Sequence, residues 1–176
     1  DVAEKDLVVG NDIYGLPLYV DTLGLYYNKD IFNSLGIANP PKTWNEFNDI
    51  VEKITISENN IISRSGAAVG TARNINRSTD ILSLLMLQRG VPMTNDDYTS
   101  AEFTKIVDGQ DVGQVALEYY TDFANPAKRV YAWNNSQHYS VDAFQEGAAA
   151  MMFNYSHQVD LLRSKATRLN FGVAAM

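Results

Sequence analysis

The chain predicts an α/β fold, a mostly parallel sheet flanked by helices in a three-layer-like arrangement. Three observations carry that expectation. Short apolar segments alternate with amphipathic stretches along the sequence. Capping residues and glycine or proline stops mark where each amphipathic stretch begins and ends. No repeat, low-complexity tract or linker interrupts the 176 residues, a length that suits one domain with a real core.

Ile13 to Val20 and Thr22 to Asn28 read as two extended segments rich in Leu, Tyr and Val. Pro17 has no N–H to give a ladder, which makes the first an edge, a bulge or a crossover. Lys29 to Leu35 predicts a short helix closed by Gly36, and Pro40 with Pro41 forces an extended approach to the next one. Thr43 and Glu46 form a capping box, hydroxyl and carboxylate satisfying free N–H groups at a helix start. That helix places Trp44, Phe47, Ile50, Val51 and Ile54 on one face, a core stripe.

Gly66 to Gly70 predicts a small-residue strand, followed by a polar loop from Thr71 to Ser78 and a buried helix from Thr79 to Arg89 stopped by Gly90 and Pro92. Asn95 to Thr99 is a turn-rich loop. Val112, Val115, Ala116, Tyr119 and Phe123 mark another amphipathic helix, ended by Asn125 and Pro126. Ser140 to Gly147 predicts a short helix with Phe144 inward, and Ala148 to Phe153 a buried strand. Ser156 is placed to cap a last helix running to Lys165, and Phe171 to Ala175 is the final strand.

Composition narrows the function. A net charge of −7 argues against a nucleic-acid surface, where clustered Lys and Arg are needed. With no cysteine, disulfides and thiolate metal sites are excluded. Two histidines without a cysteine support a metal centre poorly, and no cofactor motif is present. No stretch approaches the roughly 18 to 20 apolar residues of a membrane span. The start, Asp1 to Asp6, is not built like a signal peptide, and the chain stops on a strand. Both features suggest a piece of something longer.

The most informative run extends from Tyr14 through Pro17, Asp21 and Tyr26-Tyr27-Asn28 to Phe32, followed by Pro40-Pro41-Lys42-Thr43-Trp44 opening a helix. In this order and spacing it resembles the extracellular solute-binding proteins of ABC importers, in particular those that capture sugars and oligosaccharides. The resemblance continues through Leu87 to Gly90, Tyr119 to Ala124, Asp142 to Asn154 and Asn170 to Ala174. It implies one α/β lobe of a two-lobe type II periplasmic-binding-protein fold, with residues 1–176 as the central, C-terminal-type lobe. It further implies a partner N-terminal lobe of the same chain, a solute held between the lobes, and delivery to the membrane subunits of an ABC permease. An extracytoplasmic location, free in a periplasm or lipid-anchored at the cell surface, follows from the same resemblance.

Sugar sites combine aromatic faces with carboxylates, amides and Arg, because an unpaired buried polar group costs about 1–3 kcal/mol and so sharpens specificity. In open α/β sheets such residues belong in loops at strand ends. Asp21 sits where the family often places an acidic contact. Arg73, Asn74, Asn76 and Arg77 lie in the polar loop before a helix start. Trp133, flanked by polar residues, reads as an exposed loop tryptophan and a stacking platform. Asn154, Tyr155 and His157 follow the strand ending at Phe153, where many relatives carry a tryptophan facing the sugar. That tryptophan is missing here, so Tyr155 or His157 would replace it. Trp44 and Tyr26 read as core.

Other readings are a binding protein of this fold for a polyamine, an organic anion or an iron chelate, with Arg73 and Arg77 as an anion clamp. A glycosidase would need two carboxylates in paired contexts, and Asp21, Asp80 and Asp142 sit in unrelated ones. No nucleophile elbow, zinc-protease motif, P-loop or dinucleotide fingerprint is present, which points away from an enzyme. A structural or surface-adhesion module would lack a polar cleft with aromatic walls.

Overall fold

The computed structural model describes residues 7–176. The expectation drawn from Asp1 to Asp6 lies outside the described residues. Six helices are described: α1 Lys29–Ser34, α2 Trp44–Ile54, α3 Ser78–Gln88, α4 Val112–Asp122, α5 Ser140–Gln145 and α6 Gln158–Lys165. The strands are β1 Val8–Val9, β2 Asp12–Ile13, β3 Leu23–Asn28, β4 Ile56–Glu58, β5 Ile61–Arg64, β6 Ile106–Val107, β7 Gln110–Asp111, β8 Met151–Tyr155 and β9 Phe171–Ala174.

The central sheet has the order β8-β3-β9. Both ladders of β3 are antiparallel, Tyr26 facing Met152 on one side and Val173 on the other. Residues 65–68 add a fourth, parallel edge to β8 through Ser65 N to Ala148 O, Ala150 N to Ser65 O and Ala68 N to Met151 O. The expectation of a mostly parallel sheet is therefore corrected at its centre. Residues 65–68, β8 and β9 share one direction, and β8–α6–β9 forms a crossover unit. β3, however, runs the opposite way between β8 and β9, so it turns both central ladders antiparallel. Alternation of strand and helix along the sequence could not reveal this, because the strands that neighbour β3 lie more than a hundred residues away.

The two faces of this sheet bury different aromatic groups. Phe153 packs against Trp44 and Phe47 of α2, and Phe47 and Tyr119 pack edge-on against Phe123 beside α4. On the opposite face Tyr26 meets Phe144 and Phe171. Gly172 is required by close approach: a Cβ there would lie 2.5 Å from the Tyr27 ring.

Helix boundaries follow the sequence closely. Thr43 Oγ1 accepts from Glu46 N at 3.2 Å, while the Glu46 carboxylate reaches back to Lys42 N at 2.7 Å, one residue earlier than an ideal capping box. Phe47, Val51 and Ile54 are fully buried. The segment 66–70 is buried but irregular rather than a regular strand, and residues 14–20 form no strand.

Candidate functional site

β8 is buried along Met151–Asn154 and emerges at Tyr155, so its end delivers an aromatic ring to the surface directly after a buried polar side chain. Asn154 is fully buried. Its Oδ1 accepts from Tyr155 N at 2.9 Å and from Arg77 Nε at 3.4 Å, while its Nδ2 is buried without a partner. Arg77 comes from the start of α3. Its guanidinium carbon lies 4.7 Å from the centre of the Tyr155 ring, and its Nη1 lies 4.0 Å from Asp80 Oδ2. The His157 ring stacks near Tyr155 at 6.3 Å and 26°. Burial first, and the Asp80 carboxylate next, push the Tyr155 phenol above its ordinary range.

Asp21 joins this cluster from the loop before β3. Its Oδ1 accepts from Thr22 N and Ser156 N, both at 2.8 Å, and its Oδ2 accepts from His157 N at 3.4 Å and lies 2.9 Å from His157 Nδ1. Its side chain is only 11% exposed. Hydrogen bonds, foremost from Ser156, hold this carboxyl far below the ordinary carboxylate range against the opposing effect of burial. The expected cap of α6 by Ser156 is thus replaced: His157 occupies the cap position with no side-chain bond to the helix N–H groups, and the Asp21 carboxylate accepts from Ser156 N and His157 N just ahead of the helix. A negative group suits the positive end of a helix.

Asp21, Asp80 and Tyr155 also line a cleft of about 450 Å³, whose floor and sides include Leu23, Leu84, Phe153 and Met176. The sequence reading placed Asp80 in a setting unrelated to that of Asp21, and the structure corrects this by bringing both carboxylates to one cleft. Its spacing of three from Arg77 at a helix start was the available signal.

The remaining candidates separate from this cluster. Trp133 is fully buried, which corrects the expectation of an exposed loop tryptophan. Its Nε1 donates to Asn74 Oδ1 at 3.1 Å. Asn74 Nδ2 donates to the carbonyls of Asn134 at 2.9 Å and Gln137 at 3.0 Å, so this amide stitches the 71–78 loop to the 134–137 loop. Asn76 Nδ2 donates to the Tyr139 hydroxyl at 2.8 Å and its N–H to Ser140 Oγ at 2.9 Å. Arg73 is exposed. The paired clamp of Arg73 and Arg77 finds no support: Arg77 is engaged with Asn154, Tyr155 and Asp80, and none of these contacts involves Arg73.

Among the described residues, no group of three or more His, Asp or Glu is placed to hold a metal ion, and no helix is long and apolar enough to cross a membrane.

The family profile of bacterial extracellular solute-binding proteins matches residues 1–175. The chain belongs to this family. A candidate binding protein of Brucella abortus (strain 2308) is 27% identical over 173 residues, 96% of this chain and 39% of that protein. The multiple sugar-binding protein of Streptococcus mutans serotype c is 24% identical over 171 residues, 95% of this chain and 39% of that one. Among solved structures, an ABC transporter solute-binding protein of Thermotoga lettingae bound with α-D-tagatose superposes with a TM-score of 0.74 at 28% identity, covering 96% of this chain and 42% of that one. The maltotriose-binding protein of Thermus thermophilus, at 24% identity and a TM-score of 0.67 over 99% of this chain and 42% of that one, shares the fold. The fold of this chain is that of the type II periplasmic-binding-protein class. The chain spans about two fifths of the length of the relatives it matches. Membership in a bacterial extracellular family places it outside the cytoplasm.

Proposed function

We propose that this chain forms one wall of the solute cleft of an ABC-importer binding protein that captures a neutral carbohydrate and hands it to a membrane permease without catalysis. The observation that carries the reading is the charge balance of the cluster. Both basic side chains of the cluster face a carboxylate, Arg77 with Asp80 and His157 with Asp21, and both approach the Tyr155 ring. Such a surface offers an aromatic body, fixed polar groups and no uncompensated cation, which suits hydroxyl groups better than an anion. The buried Asn154 Nδ2 beside it, which has no partner, is a polar group of the kind that sharpens specificity. Relatives named as sugar-binding, and a neighbour that holds tagatose, support the same class.

The opposite wall would come from a partner lobe. Ile13, Tyr14, Leu16, Leu18, Tyr19 and Val20 are exposed, Leu18 to 95%, an apolar run that a protein surface of the same polypeptide would cover. Ligand capture then follows by hinge closure of two lobes, and the protein works in the periplasm or as a cell-surface lipoprotein. A thermal-shift screen of this lobe joined to its partner tests the reading against tagatose, mannobiose, maltotriose, polyamines and organic anions. A ligand at a hundred times its dissociation constant adds about 2.7 kcal/mol of stability. A shift confined to sugars is expected. A shift only with anions or polyamines overturns the carbohydrate class, and no shift with any solute overturns the binding role.

A further inference from the structure

The carboxylate of Asp21 has a second property: its acceptor sites are already used. An ionised carboxylate offers about four lone-pair directions. Thr22 N and Ser156 N occupy Oδ1, while His157 N and the His157 ring occupy Oδ2. Nδ1 must carry its hydrogen to face a charged oxygen at 2.9 Å, so the tautomer and tilt of the ring are set by Asp21. The side chain is largely shielded, and 135 residues separate it from Ser156. Such a group has little left with which to meet a ligand hydroxyl.

The geometry points to Asp21 as a positioning residue: it latches the start of α6 to the loop before β3 and so holds the His157 and Tyr155 rings in place as one platform. Its effect on the solute passes through those rings rather than through direct contact. Tyr155 is held from the other end as well, since Tyr26 Oη donates to its carbonyl at 2.7 Å and Arg77 lies over its ring. Removing the carboxylate frees Ser156 N, His157 N and the imidazole together. The neighbouring turn then loses the charge that complements the helix end.

This assignment rests on the proposed solute site only for the use to which the platform is put, and the test separates the two. Amide exchange and the contact between the Tyr155 and His157 rings are followed by NMR in Asp21→Ala and Asp21→Asn. In Asp21→Ala the Ser156 and His157 amides should exchange at least tenfold faster and the ring contact should be lost, while amides of α2 and β3 stay protected. Asp21→Asn keeps one acceptor oxygen and should restore part of that protection. Unchanged exchange and an unchanged ring contact in Asp21→Ala overturn the latch.

The second arm is a double-mutant cycle on the two-lobe protein, with tagatose, mannobiose and maltotriose as the probes. Asp21→Ala should weaken binding about tenfold in the native background and leave it unchanged when Tyr155→Ala and His157→Ala are already present. Equal losses in both backgrounds would mean that Asp21 acts directly on the solute, and would overturn the positioning role. If the native protein binds none of the three sugars, the carbohydrate reading fails, and amide exchange with the ring contact decides the latch.

Discussion

Trp133, fully buried, and Asn74, half-buried, pair across segments far apart in sequence, and the pair ties the 71–78 loop to the 134–137 loop. Asn74→Ala leaves the indole N–H and the Gln137 carbonyl without this partner, while the Asn134 carbonyl keeps its bond from Gln137 N at 3.2 Å. An orphaned buried polar group costs about 1–3 kcal/mol, and that is the expected loss, read as a lower urea midpoint at unchanged slope. Trp133→Ala should cost more, about 3–5 kcal/mol, because it removes a fully buried ring from the core. A near-native midpoint for Trp133→Ala would contradict that burial. The polar residues beside Trp133 made it read as a surface group from sequence. Its acceptor stands 59 positions away, which no local pattern discloses.

At the scale of elements, α2 is held by its cap, its apolar stripe and its seat on the segment before Gly70. Thr43→Ala removes the acceptor for Glu46 N and should lower stability by about 1 kcal/mol, measured by denaturant titration. Gly66 is the tighter constraint. A Cβ there would lie 2.5 Å from Val51 O and 2.8 Å from Thr55 Oγ1, both in the last turn of α2 or just beyond it. Gly66→Ala is therefore expected to cost about 1–3 kcal/mol through displacement of backbone, and a thermal midpoint equal to the native one would refute the packing. Helices were legible because caps and 3.6-residue periodicity are local. Strand direction was not, since the neighbours of β3 are chosen by packing.

For the whole molecule, pH probes how much of the fold depends on keeping groups neutral inside it or charged at its edges. Burial pushes the Tyr26 phenol up to about 12 from 10.0, and burial likewise raises Tyr119 and Tyr120. Raised folded-state values favour the protonated form, so this stability is fully present below pH 10 and is lost as pH climbs through about 12. Urea midpoints across pH 8 to 12 should stay level and then fall above about 10, the ordinary tyrosine value. Tyr120→Phe should soften that fall, and a level profile to pH 12 would contradict the burial. On the acid side the sign reverses. Asp21 and Glu52 are held below their ordinary values by Ser156 and Arg129 respectively, so their contribution is present above the ordinary carboxylate range and fades as pH drops beneath it. Asp21→Asn should flatten part of that acid loss.

By itself the sequence determined the α/β class, the places where helices start and stop, the core stripe of α2 and the family. Each is written in residues close together: Thr43 with Glu46, Trp44 through Ile54, Gly36 after α1, and Tyr14 through Phe32. The end of β8 was also legible as the place where a buried strand reaches the surface, at Tyr155 directly after the buried Asn154. Only the tertiary structure decided that Trp133 lies in the core, that Asp21 spends its carboxylate on α6, and that Asp80 shares a cleft with Tyr155. Those outcomes depend on contacts between segments tens of residues or more apart. Hydrogen-bond saturation and burial are properties of such contacts, so they come into being only when the chain has packed.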